Sequence, residues 1–299
     1  TPGHRSFNFW HLGGIDISAK GHLVVTTCNG AGMDAPKTGP GKGSFSYEDK
    51  PYVPAVYPGR ARWGEIHIWD KHGKLIMEDA APGMGHLNGI AIDRDDNLYM
   101  LSASKRIIEG KLYDPGMSVS GTVLKMPPGK GRVLSSGGQI PVPLSAENTP
   151  KRSQDLAGYT SGWAENAEWL YGGVGYCTPG GCVCVNCRFD VDFFNRTFAP
   201  EPQLYGVAVL DAAGNLILRV GKYGNVQDGK PLVAAGGPAE TRSIGGDEVG
   251  LFYASYVASD TDRRLFIADQ GNARLLSVKL GYHAEEKVAL KDVKDLEKK

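Results

Sequence analysis

A net charge is the first thing this chain of 299 residues lacks: 33 Lys and Arg stand against 33 Asp and Glu. Without a net field it has no general attraction for nucleic acid or for an anionic membrane surface. Long hydrophobic runs are missing too, and none approaches the roughly 20 apolar residues that span a bilayer. There is no nucleophile elbow, phosphate loop or dinucleotide fingerprint, which excludes the common nucleotide-binding designs. No Cys-x-x-Cys-His occurs, so covalent c-type haem is excluded as well. Helical periodicity is scarce; the one candidate, 284–299, is too charged to be core and reads as a solvated tail. The chain opens at Thr1 with neither an initiator Met nor a signal-peptide pattern, as expected of a processed product or part of a longer polypeptide.

What the chain has is repetition. Residues 11–25 align without a gap on 86–100, and both copies open with a histidine, His11 and His86. Each alternates apolar residues (Ile15 and Ile17; Ile90 and Ile92), breaks at a polar turn, and resumes with Leu23 and Val25 or Leu98 and Met100. That pattern is a β-hairpin with one buried face. A weaker copy follows Cys187 when Asp192 is set on Asp93, and a looser one runs from Tyr253 to Asp269.

A second unit alternates with the first. Strand 65–69 leads through Asp70 and Gly73 to Leu75; strand 206–210 leads through Asp211 and Gly214 to Leu216. Residues 121–126 with 131–134 form a weaker copy, and 274–280 with 288–290 a fourth; Trp169 to Val174 reads as a further inner strand. An inner plus an outer hairpin makes one four-stranded propeller blade. The expectation is therefore an all-β chain, a five- or six-bladed propeller over 1–283 with a charged tail at 284–299. Its innermost strands should begin near residues 11, 86, 187 and 253. The 41 glycines suit tight turns, and the excess length falls in Gly/Pro-rich insertions at 29–62, 102–121, 135–162 and 222–250. Such loops gather on a face and carry recognition.

The stretches Val207 to Leu216, Gly89 to Met100 and Leu265 to Arg274 resemble the blade of the NHL-repeat propeller family. Long bacterial propeller proteins of unassigned role with a Cys-x-Cys loop look the most similar, above all over 188–224. The resemblance implies the fold and no particular activity, because one propeller scaffold carries lyases, lactonases and binding modules.

Four sets of residues are candidates for function. His11 and His86 occupy equivalent blade positions and should face one another at one channel mouth, where two imidazoles can hold a divalent ion, zinc or calcium. This resembles the peptidyl-α-hydroxyglycine α-amidating lyases; the third copy carries Val185 instead, and structural hydrogen bonding by both histidines is the alternative. Asn88 resembles the metal-holding asparagine of gluconolactonase-type propellers, with a turn role as the alternative. Cys177, Cys182, Cys184 and Cys187 lie within eleven residues and read either as two disulfides or as a thiolate metal site. Tyr47, Tyr52, Tyr57 and Trp63, stiffened by nearby prolines, make either a contact surface or packing on the propeller face.

The function expected is a secreted, periplasmic or cell-surface binding or assembly module that engages a protein or glycan through its loop-rich face. The alternative is a metal-dependent channel lyase or hydrolase. Neither nucleic acid nor a membrane span is expected, and the protein would be part of a larger assembly or polypeptide. The Asn195-Arg-Thr197 sequon is a common triplet by chance.

Overall fold

A computed structural model describes residues 14–27, 46–47, 50–51, 65–84, 87–113, 120–135, 144, 146–147, 149–158, 161–175, 186–226, 231–233, 239–243, 249–260 and 263–280. They form an all-β propeller. Blade 1 is built from Ile15–Ile17, Leu23–Thr27, Glu65–Trp69 and Leu75–Met77, paired in chain order and antiparallel throughout. Blade 2 uses Leu87–Ile92, Leu98–Ser102, Ser120–Met126 and Trp169–Gly175; blade 3 uses Asp190–Val191, Thr197–Glu201, Gly206–Leu210 and Leu216–Val220. Blade 4 shows three strands, Ala254–Asp260, Arg264–Asp269 and Arg274–Lys279. Five or six blades were expected, and the described residues form these four.

Alternate residues of one strand serve different interfaces, because successive side chains leave opposite faces of a sheet. In blade 2, Ile90, Ile92, Met100 and Leu124 pack with Ile66 and Ile68 of blade 1. Between them Ala91, Tyr99, Leu101 and Val123 pack with Phe189, Ala199 and Ala208 of blade 3. Phe198, Val207 and Val209 turn the other way, onto Leu265 and Ile267 of blade 4. A blade with neighbours on both sides thus loses the polar–apolar alternation of a half-exposed sheet: every residue of Leu87–Ile92 is buried. Strand Glu65–Trp69 reads as alternating in sequence, yet His67 is as buried as Ile66. Burial pushes the His67 imidazole down to about 4 and keeps it neutral. Blade 4 keeps its alternation, buried towards blade 3 and exposed on the other side.

One turn is reused at the face where hairpins reverse. Asp93 Oδ1 accepts from the N–H groups of Asp95 and Asn97 at 2.9 and 2.8 Å. Asp70, Asp192 and Asp211 repeat the pair of bonds, and in blade 1 the Ser18 hydroxyl makes it more loosely. Three residues on, the backbone is left-handed each time: Gly21, Gly73, Asp96, Asn195 and Gly214. A short acceptor followed by a residue tolerant of positive φ is what these turns demand.

Two outer elements depart from the sequence reading. Trp169–Gly175 is the outer strand of blade 2, paired with Ser120–Met126, and no inner strand. Residues 132–134 do not return along 120–126; they pair with Trp163–Glu165. Gly131 presses on Met126 with no room for a side chain, and Val133 donates to Pro82 O at 2.8 Å. The chain is thereby led away from its own hairpin.

Carboxylates join the innermost strands. Asp16 Oδ2 accepts from the Ile92 N–H of blade 2 at 2.8 Å. At the same register in blade 3, Asp190 Oδ2 accepts from both the N–H and the hydroxyl of Ser259 in blade 4, each at 2.6 Å. Burial pushes both carboxyls above the ordinary aspartate value, and the charge of Asp16 pushes Asp190 further. The folded state therefore holds protons that the unfolded chain has released. Stability from these groups falls as pH rises from 3.8 through their folded values. Asp190→Asn should lose part of this fall, giving a smaller Tm difference between mildly acid and neutral buffer than the parent chain. An unchanged difference would show that Asp190 is not raised.

Candidate functional site

All four innermost strands start at one face, here the mouth face. Their equivalent positions converge there, as the inter-blade bonds and the parallel bridge between Arg188 and Tyr256 require. Asn88 lies at this end of blade 2. It sits within strand Leu87–Ile92 and not in a turn, at an irregularity in the pairing with Leu98–Ser102 that spans Leu87 to Ile90. The bulge depends on Gly89, whose φ is +134° and whose missing side chain leaves room for the Phe189 ring. Bulges re-aim side chains beside functional sites.

The bulge aims Asn88 at blade 3. Its Nδ2 donates to Cys187 O at 2.8 Å and to Asn186 Oδ1. Both partners are acceptors, so the amide can face them only through its NH2 group. That orientation leaves Asn88 Oδ1 buried with no hydrogen-bond partner among the described residues. Asn186 continues the relay, donating to Tyr256 Oη of blade 4 at 3.2 Å. Cys187 Sγ lies 3.6 Å from Tyr253 Oη and 3.7 Å from Ala254 O, beneath Gly175, which has no space for a side chain. Blades 2, 3 and 4 are thus tied at the mouth by a chain of amides, a thiol and phenols.

Asn88 and Cys187 are brought together, the Asn88 amide donating to Cys187 O. His11, His86, Cys177, Cys182, Cys184, Tyr52, Tyr57 and Trp63 lie outside the described residues, as does the 281–299 tail. Tyr47 falls on the two-residue strand Ser46–Tyr47, its side chain likewise outside them. Asn186, Tyr253 and Tyr256 were not singled out from sequence, and no motif marks them. Asp16 and Asp190 were legible in principle, because both stand between apolar residues at one repeat register. The sequon is folded away: Asn195 is buried and left-handed, and Thr197 is buried in its strand. Among the described residues no three His, Cys, Asp or Glu side chains group to hold a metal, and no helix is long and apolar enough to cross a membrane.

Comparison with known proteins finds no matching family model and no matching curated protein. Among solved structures, a protein of unknown function from Bacteroides caccae is 10% identical with a TM-score of 0.29, over 89% of this chain and 77% of that one. A Lactobacillus plantarum protein is 12% identical at 0.31, this chain covering 89% of itself and 54% of that longer protein. A gluconolactonase from Xanthomonas campestris is 13% identical at 0.29, over 88% and 70%. Likenesses this faint carry nothing about the site.

Removing the Asn88 amide takes a donor from Asn186 Oδ1 and from Cys187 O in a buried place. Asn88→Ala should cost about 1–3 kcal/mol in urea unfolding, the cost of leaving a buried polar group unsatisfied. A loss under about 0.5 kcal/mol, the scale of ordinary surface changes, would show that this relay does not join the blades.

Proposed function

We propose that this propeller is a binding module, working outside the cytoplasm, that engages a protein or a glycan through its mouth face. The observation that carries the reading is where the long connections leave the sheets. In blade 1 the chain departs after Thr27 and re-enters at Glu65, both at the mouth end. Residues between Gly175 and Asn186, and between Val220 and Gly250, likewise join strand ends at the mouth. The opposite face has five-residue turns within the hairpins, such as 93–97 and 211–215, and one long connection, 127–168, which leaves blade 2 after Met126 and re-enters at Trp169. Long connections on a rigid scaffold are where recognition is placed. The location outside the cytoplasm rests on the clustered cysteines.

A second reading, a metal-dependent channel lyase or hydrolase, has one observation in its favour. The orphaned Asn88 Oδ1 is an oxygen donor at the channel mouth, two residues from His86 along the chain. It suits a hard cation or a hydrogen-bond donor, and His11 and His86 would complete the donor set. A metal there would polarise a carbonyl or activate water.

The two readings part on one preparation. Purified protein should bind members of a printed oligosaccharide panel or an immobilised peptide library. Replacing 28–64 with a short Gly/Ser connection should abolish the binding of a peptide ligand while the far-UV circular dichroism is unchanged. Silence on both panels, with one divalent ion per chain that is lost in His86→Ala and kept in Cys184→Ser, would replace the module with the enzyme.

A further inference from the structure

Three rings stand exposed at the mouth face between blades 3 and 4. Tyr205, Tyr223 and Phe252 are 36%, 64% and 47% exposed. Their centroids are 4.9 Å apart from Tyr205 to Tyr223 and 6.2 Å from Tyr223 to Phe252, with planes at 71° and 60°. Because the rings meet edge to face, each contact takes up one face of one ring and leaves that ring's opposite face uncovered by its partner.

The frame beneath them is stiff. Tyr205 caps the 3-10 turn Pro202–Leu204 in a left-handed conformation, its N–H donating to Pro202 O at 3.1 Å. Tyr223 is held in the parallel pairing of Lys222–Tyr223 with Gly250–Leu251. The Phe252 ring rests against Gly271, where no side chain would fit. Its N–H donates to Asp269 Oδ1 at 3.1 Å. Asp269 Oδ2 accepts from Asn272 Nδ2 at 2.7 Å and Arg274 Nε at 3.2 Å. The blade residues Asp269, Asn272 and Arg274 are thus the clamp that sets the aromatic floor.

Resting on the binding-module reading, we infer that Tyr205, Tyr223 and Phe252 form the seat for a neutral oligosaccharide. The size argues against a protein partner on these rings. At about 150–250 Å² per aromatic side chain, their exposed parts offer roughly 300 Å². A stable protein interface takes about 800 Å² from each partner. The charges below the seat, Asp269 and Arg274, are spent on each other, so they select no ionic ligand. Flat apolar faces flanked by two phenol hydroxyls suit a sugar, which is apolar on the faces of its ring and polar around its edge. The run accommodates about two or three sugar rings, one per aromatic step.

Cellohexaose, chitohexaose and mannohexaose, titrated into the whole chain by calorimetry, are the probes. At least one should bind saturably, and Tyr223→Ala and Phe252→Ala should each weaken it by about tenfold or more. Phe193→Ala, on an exposed ring of the opposite face, should change nothing. The parent far-UV spectrum in each variant excludes misfolding. Hexaose binding that ignores both substitutions overturns the seat. So does a peptide ligand lost on replacing 28–64 but kept in Tyr223→Ala, an outcome that leaves the module reading intact. Panels and hexaoses all silent overturn both.

Discussion

An antiparallel sheet with an even number of strands returns the chain to the face it left. Each complete blade here has four strands, so each next blade must start at the same face as the last. The innermost strands are consequently parallel to one another, although every pairing inside a blade is antiparallel. From this follow the common register, the convergence of equivalent residues at one mouth, and the return of each blade-to-blade connection to that face. Parallel neighbours at matched height also let a single side chain reach the next blade. Asp16 and Asp190 do so, and Asn88 does so one level higher.

The same constraint explains why repeated sequence became repeated structure in some places and not in others. The turn aspartates bond to N–H groups two and four residues on, so their pattern is entirely local. A local pattern is visible in a short stretch of sequence, and Asp70, Asp93, Asp192 and Asp211 were all legible. The inner hairpins are nearly as local, and their starts fell within four residues of the expected positions. The outer strand of blade 2 is different, because its partner Ser120–Met126 is separated from it by an excursion that includes three further short strands. Nothing in Trp169 to Val174 states which distant strand it will join. Its apolar alternation fits an inner and an outer position equally well.

The candidate site was legible only in part, and for a related reason. The repeat register sets Asn88 and Cys187 at equivalent positions of two blades. That Asn88 would face an acceptor pair, and so strand its own oxygen, depends on the bulge at Gly89 and on the rotation it gives the strand. An Asn-Gly pair reads first as a turn because both residues tolerate positive φ. Here the glycine supplies positive φ inside a strand instead, and close passage past Phe189 is the feature that needs it. The aromatic seat was hidden more deeply. Tyr205 comes from a turn within blade 3, Tyr223 and Phe252 from opposite ends of the connection between blades 3 and 4, and only the folding of that connection brings them into one row.

The mouth therefore holds two kinds of surface with different physical demands. The Asn88–Asn186–Tyr256 relay is buried and directional, and a buried polar chain holds blades in one arrangement only while its members are satisfied. One unsatisfied oxygen in such a chain is a cost the fold carries at a single defined point. The aromatic row costs the fold little, because its rings are partly exposed and rest on backbone that Asp269 already fixes. Rigid rings on a fixed floor lose little conformational freedom when a ligand arrives, and that preorganisation is what lets a small contact area bind at all. Tyr256 of the relay is also open to solvent, accepting from Asn186 at the mouth while remaining 43% exposed. A ligand that touched Tyr256 would therefore touch the relay, and through Asn186 the unpaired buried oxygen of Asn88.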